Sequence, residues 1–188
     1  MRFFQEVLRS PHTTGAIAPS SRHLARVIVE KADVQNASRI LELGPGTGSF
    51  TRRILEVKPG NAHFVALERN PSFATELRSR FPDTRIVQGC ATELQAHAAE
   101  HEFHEAESIV SGLPWAIFNP GLQRTILGGV RDVLGRGGVF ATFAYFGPHW
   151  LPAGRHFREL LRSIFPDTRT SQVVVRNFPP AFVYYCRK

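Results

Sequence analysis

Glu42, the turn Gly44-Pro45-Gly46-Thr47-Gly48 and Glu68 are the residues whose types and spacing promise chemistry. Glycines at alternate positions let a chain turn sharply after a buried strand and approach a ligand with no Cβ in the way. The dinucleotide fingerprint G-x-G-x-x-G fails here, because Ser49 or Thr51 stands where its third glycine would fall. Pro45 has no N–H to offer a phosphate, and Glu42, an anion just before the turn, would repel a pyrophosphate. That anion suits the ammonium of an amino-acid-bearing cofactor. Glu68, twenty residues past Gly48, stands where a carboxylate can accept both hydroxyls of a ribose.

A second group of residues lies further along. Ser111-Gly112-Leu113-Pro114-Trp115 closes a short apolar run, and Tyr145 ends a longer one with His149 close behind. Tyr145 and His149 are candidates to orient an amine or relay its proton, with a sheet-end aromatic and a loop residue as the plainer readings. Trp115, Tyr145, Phe146 and Trp150 would form an aromatic wall around a cationic nitrogen, with at least one of the four expected in the core. His97 and His101 are four residues apart, with His104 following, a spacing that suits a metal on a helix face. The run is polar throughout, so a solvated helix without metal is the expected outcome.

Positioning these groups requires alternating strands and helices. Arg39 to Leu43, Ala62 to Leu67, Arg85 to Gln88, Glu107 to Val110 and Gly138 to Tyr145 read as strands. Asn70 is placed to cap a helix that starts at Pro71. Asn119 to Leu134 reads as the longest helix and Arg155 to Ile164 as the last. Ser171 to Val175 and Phe182 to Tyr185 are expected to pair as an antiparallel hairpin. The pattern predicts an α/β fold with a seven-stranded, mainly parallel sheet, a C-terminal antiparallel hairpin and helices on both faces. Residues 1–31 are expected as an N-terminal helical segment capping substrate or membrane, and residues 32–188 as the main domain.

The turn with its two carboxylates resembles motif I and the following acidic motif of class I S-adenosylmethionine-dependent methyltransferases. S-adenosylmethionine carries the ammonium and ribose that Glu42 and Glu68 would meet. The resemblance assigns cofactor binding to Glu42, Gly44, Pro45, Gly46, Gly48, Glu68 and Ser111. Many members carry Asp after the third strand; here the chain reads Gly89-Cys90-Ala91, so adenine recognition falls to backbone near Cys90 and Ala91 and to packing from Arg69 and its neighbours. Cys90 as a small buried filler is the equal alternative.

Thr14 to Arg22, Ser111 to Pro114 and Asn177 to Tyr184 together resemble the soluble bacterial phosphatidylethanolamine N-methyltransferases, relatives of the ribosomal RNA adenine dimethylases. The resemblance spans Phe4 to Tyr185 and implies methyl transfer from S-adenosylmethionine to a phospholipid amine, towards phosphatidylcholine. It makes Ser111, Tyr145 and His149 the catalytic candidates, and Trp115, Tyr145, Phe146 and Trp150 the substrate wall. Base-methylating relatives carry Asn or Asp where Ser111 stands, which weighs against RNA; RNA adenine and small-molecule methylation remain the alternatives.

Composition agrees with an enzyme meeting a polyanion. The chain has 188 residues, an ordinary hydrophobic share of 43% and a formal net charge of +7, which points to nucleic acid or an anionic lipid surface. Phe3, Phe4, Val7 and Leu8 lie at helical spacing between Arg2 and Arg9, and Arg155, Arg158 and Arg162 make a basic stripe, both suited to an anionic bilayer. Two cysteines, Cys90 and Cys186, make no disulfide framework, and the sequence carries no signal peptide pattern. The expected location is the cytoplasm, peripherally on the inner face of the membrane, with no protein partner implied.

Overall fold

Five apolar runs become parallel strands: β1 (Arg39–Leu43), β2 (His63–Glu68), β3 (Arg85–Gln88), β4 (Ala106–Ser111) and β5 (Leu134–Tyr145). The computed structural model describes residues 20–101 and 105–188. Two further strands, β6 (Asp167–Thr170) and β7 (Ala181–Arg187), join antiparallel, giving the order β3-β2-β1-β4-β5-β7-β6. This is the expected seven-stranded Rossmann-like sheet. The chain runs outward from β1 to β3, then returns to place β4 on the other side of β1. Where strand order reverses in this way, the crevice beyond the strand ends is the natural ligand site.

Helices cover both faces. On one lie α1 (Arg22–Lys31), α2 (Ser49–Val57) and α3 (Pro71–Arg80); on the other α4 (Leu94–Glu100), α5 (Pro120–Val133) and α6 (Pro152–Ile164). Their starts follow from the sequence. The Ser21 hydroxyl accepts from the Leu24 N–H at 3.1 Å, Asn70 Oδ1 from Ser72 N–H at 2.9 Å, and Asn119 Oδ1 from Leu122 N–H at 2.9 Å. Each bond satisfies a first-turn donor that has no intrahelical partner. Pro71 and Pro120 follow their caps directly, where a missing N–H costs nothing. α5, with 14 residues, is the longest described helix, as expected.

One expectation needs correction. The partner of β7 is Asp167–Thr170, not Ser171 to Val175. That strand is polar and largely exposed, which an edge position tolerates and an apolar-run reading misses. The Ser171 hydroxyl then accepts from Val183 N–H at 3.0 Å, replacing a backbone carbonyl, and only a single bridge, Val174 to Ala181, follows. Of the N-terminal segment expected over residues 1–31, the described part carries α1. Leu24, Ala25, Ile28 and Val29 of α1 are buried in the same core as Ile40, Phe50 and Phe64. The apolar stripe at Phe3 to Leu8 and His104 lie outside the described residues. Among the described residues no helix is long and apolar enough to cross a membrane.

Candidate active site

A cavity of about 400 Å³ opens at the carboxyl ends of β1, β4 and β5. One lobe is walled by the glycine turn. Gly44, Gly46 and Gly48 have φ of +67°, +53° and +77°, a region that residues with a Cβ rarely enter. The three positions differ in what surrounds them. A Cβ on Gly44 would lie 2.7 Å from Leu113 Cδ2, and one on Gly48 2.8 Å from the Phe81 ring, so these two are packing constraints. A Cβ on Gly46 would meet nothing within 4 Å. Gly46 is therefore the point at which the backbone lies open to a ligand.

Glu68 faces this turn from β2. Its two carboxylate oxygens accept from Gly46 N–H at 3.0 Å and Asn70 N–H at 2.8 Å, so one side chain fixes the turn and the start of α3 together. Each oxygen keeps a further acceptor position, which suits a vicinal diol. Phe73 of α3, Phe50 of α2 and Phe143 of β5 complete the wall. These aromatics were not singled out from sequence. Phe73, three residues past the capping Asn70, is the one whose position next to the acidic motif gave a signal.

Glu42 is not on the cavity wall. It is fully buried behind the turn, where its Oε2 accepts from the Thr51 hydroxyl at 2.7 Å and its Oε1 has no partner among the described residues. Burial pushes its carboxyl up to about 8 against the downward pull of the Thr51 hydrogen bonds, with Glu68 adding repulsion. A buried acceptor lacking a donor, behind an open glycine turn, fits a cofactor with a cationic tail. The open turn and the Glu68 diol acceptor fit the ribose of S-adenosylmethionine, with the Glu42 carboxyl behind them. Arg69 is exposed, and Cys90 and Ala91 are half-buried; none of the three reaches the wall. The Cys90 sulfur accepts from the Thr92 hydroxyl at 3.0 Å.

The second lobe lies beyond the loop after β4. Gly112 seats that loop against the turn: its N–H donates to Leu43 O at 2.8 Å, and a Cβ there would lie 2.5 Å from Gly44 O. Leu113, whose side chain packs against Gly44, and Pro114 line the cavity between the turn and Trp115, and we call them the ridge. Ser111 sits beneath it, fully buried, its hydroxyl accepting from Leu113 N–H at 3.3 Å and Trp115 Nε1–H at 3.2 Å. The structure therefore makes Ser111 the hub of the loop; its side chain does not reach the cavity.

Trp115 is buried against Phe157, with ring centroids 5.2 Å apart, and presents an edge to the cavity. Tyr145 and His149 also line it. Burial raises the Tyr145 phenol above its ordinary value, so it stays protonated at neutral pH. His149 Nδ1 accepts from Gly147 N–H at 3.1 Å, which leaves Nε2 to carry the ring hydrogen. In that tautomer His149 lines the cavity with Nε2–H as its ring donor. Phe146 and Trp150 stack around His149 but stay outside the lining, so the four-membered aromatic wall reduces to Trp115 and Tyr145.

The histidine pair on α4 also departs from expectation. His97 is largely buried over Gly89, where a Cβ would lie 2.2 Å from its Nε2, and it is not on a solvated face. His97, Glu100 and His101 hold ligand-type atoms within 4.8 Å of one another. Arg85 Nη2, which can only donate, lies 3.0 Å from His101 Nδ1 and sets a fixed cation beside the group.

Comparison with known proteins places this geometry. The sequence pattern of the ribosomal RNA adenine dimethylase family matches residues 20–115. The chain is 33% identical over 175 residues to an ornithine lipid N-methyltransferase of Singulisphaera acidiphila, covering 92% of this chain and 87% of that protein. It is 28% identical over 103 residues to ribosomal RNA small subunit methyltransferase A of Chlorobium phaeobacteroides, covering 54% of this chain and 36% of that protein. The fold is similar to that of a Bacillus cereus O-methyltransferase in complex with SAH, with a TM-score of 0.69 at 14% identity over 100% of this chain and 89% of that one. Aeropyrum pernix fibrillarin with natively bound S-adenosyl-L-methionine gives 0.66 at 14% identity over 88% of this chain and 76% of that one.

Proposed function

This chain belongs to the ribosomal RNA adenine dimethylase family and is an S-adenosylmethionine-dependent methyltransferase, and from that premise we propose that its acceptor is a membrane-lipid amine. The lipid is phosphatidylethanolamine, methylated stepwise towards phosphatidylcholine by an enzyme lying on the inner face of the membrane. One observation carries this reading. Past the Leu113 ridge the wall is made of Pro114, Trp115, Ile117, Phe157 and their neighbours, and among the described lining residues of that lobe there is no carboxylate or carboxamide. A nucleobase presents a fixed hydrogen-bonding edge that such groups read. A small amine on an apolar carrier needs an apolar lobe with few polar contacts.

S-adenosylmethionine supplies a methyl group already activated by its sulfonium, so the protein's part is alignment and desolvation. The apolar lobe disfavours the ammonium form of the acceptor, so its proton leaves to solvent water at the open mouth and the lone pair is freed. The protonated Tyr145 phenol orients that nitrogen by accepting one of its N–H groups. His149 Nε2–H faces the other polar part of the headgroup, an anionic oxygen. As methyl groups replace N–H donors, the Trp115 and Tyr145 rings still attract the cation, an effect of about 0.5–2 kcal/mol. Ser111 acts through Trp115 and Leu113 as a positioning residue.

A second reading, methylation of adenine in ribosomal RNA, draws on the description of the matched family and the net charge of +7. The two separate in one assay. With labelled S-adenosylmethionine, the protein is incubated in turn with phosphatidylethanolamine vesicles, ornithine-lipid vesicles and unmethylated small-subunit RNA. Label in the organic phase of the phosphatidylethanolamine arm is expected. Label in RNA alone overturns the lipid reading, and label in the ornithine-lipid arm alone overturns the choice of headgroup.

A further inference from the structure

Phe146 and Trp150, displaced from the cavity, belong to a larger pattern. Six large hydrophobic side chains are exposed among the described residues: Ile117, Phe146, Trp150, Leu151, Val175 and Phe178. All six lie in loops at one end of the sheet, after β4, after β5 and before β7. Scattered exposed apolar residues need no explanation, but a contiguous group around a concave mouth does.

The contacts show that the group surrounds the mouth. Phe146 lies 5.2 Å, ring to ring, from both Trp150 and His149, and His149 is on the cavity wall. Phe146 N–H donates to Pro180 O at 2.8 Å, tying it to the loop that carries Val175 and Phe178. Asn177 of that loop accepts from Ser21 N–H at 2.9 Å, next to Ser20, another wall residue. Ile117 is itself on the wall.

Charge adds a direction. Residues 111–131, 142–158 and 168–188, which contribute these loops, contain no Asp or Glu. Arg22, Arg155 and Arg176, all exposed, stand around the same end. Three of the six apolar groups, Ile117, Leu151 and Val175, have no ring to stack on a base, so single-stranded RNA would satisfy only half the patch. An anionic leaflet satisfies all of it, taking apolar tips into the interface and arginines at the headgroups.

We propose that this rim inserts into an anionic bilayer with the cavity mouth facing the leaflet, so that a headgroup reaches the methyl donor without its lipid leaving the membrane. The proposal rests on the lipid reading above but does not share its test. The protein has two tryptophans. Trp115 is 3% exposed and Trp150 is 60% exposed at the rim. Fluorescence is therefore measured with vesicles of phosphatidylglycerol and phosphatidylcholine whose acyl chains carry bromine, a contact quencher. Quenching of the full-length protein is expected, and Trp150→Phe should abolish most of it.

A variant combining Trp150→Ser with Phe178→Ser should bind these vesicles at least tenfold more weakly. It should still methylate short-chain phosphatidylethanolamine in detergent micelles at close to the unaltered rate. Vesicle binding without quenching, which would mean adhesion by charge alone, overturns the proposal. So does absence of vesicle binding, or RNA binding that vesicles do not displace. If the unaltered protein leaves the micellar lipid unmethylated, the functional reading fails. If it methylates that lipid while Trp150 stays unquenched, only the insertion fails.

Discussion

On one side of the Leu113 ridge, the cavity wall comes mainly from one stretch, Gly44 to Phe50, with Glu68 of the neighbouring strand, Asn70, Phe73 of α3 and Phe143 of β5 around it. On the other side it is assembled from the loop after β4, the loop after β5, the first turns of α6 and Tyr184 of β7. The first lobe carries one carboxylate, that of Glu68, and backbone angles that few residues adopt. The second carries aromatic packing and two polar side chains. The contrast suits the proposed ligands. A cofactor with fixed charges would be held by groups whose geometry a strand end enforces, whereas the proposed acceptor, on an apolar carrier, would be enclosed by side chains that only the finished fold brings together. Gly112, whose Cβ would strike Gly44 O, joins the two halves.

The comparison breaks if the lobes are not separable, and the harshest test is Trp115→Ala. The indole stacks on Phe157 and meets Phe118 and Phe140 edge-on, while its Nε1–H donates to Ser111. Removing it should cost about 3–5 kcal/mol, a fall in Tm of roughly 10–15 °C for a chain of this size. Below that Tm, affinity for S-adenosylmethionine should be unchanged by calorimetry. A parallel loss of donor affinity would show that the lobes act as one unit.

The next largest effect belongs to the other lobe and depends on pH. Glu42 has a folded-state pKa of about 8 against an ordinary 4.5, so the folded ligand-free protein holds a proton that the unfolded chain has released. Its contribution to stability is fully present below about 4.5 and drains as pH rises towards 8, at about 1.4 kcal/mol per unit. Glu42→Gln keeps an acceptor for Thr51 and cannot ionise. The variant should match the unaltered protein near pH 4.5 and exceed it in Tm by roughly 5 °C or more near pH 8. Equal melting across the range would mean that the carboxyl is not desolvated behind the turn.

How much was legible in the sequence follows the same division. Gly44, Gly46, Gly48 and Glu68 could be read because they are local: a strand, a turn and the next strand's end lie within one stretch of chain. The cap at Asn70 is legible for the same reason. The sequence offers Glu42 as a contact for the cofactor tail, but its side chain is held under α2 by Thr51, and only the packed fold shows that. The family resemblance makes Ser111 a catalytic candidate. The indole that occupies its hydroxyl lies four residues on, folded back by a loop whose path the sequence does not print. Phe146 and Trp150 were grouped with Trp115 by type, and burial separates them.

The smallest of the three effects concerns the residue that spans both readings. Glu68→Ala removes the acceptor for Gly46 N–H and Asn70 N–H as well as the proposed diol contact. Affinity for S-adenosylmethionine should fall at least tenfold by calorimetry, as loss of a charged hydrogen-bond acceptor implies. KM for the lipid acceptor at saturating donor should not move, because Glu68 lies across the ridge from Trp115 and Tyr145. Glu68→Gln keeps one acceptor oxygen but turns an amide N–H towards a backbone N–H, so it should fall between the two. Unchanged donor affinity in Glu68→Ala would leave the carboxylate as a brace for the glycine turn alone. An equal rise in lipid KM would mean that the turn and the Leu113 ridge move together, with Gly112 as the coupling point.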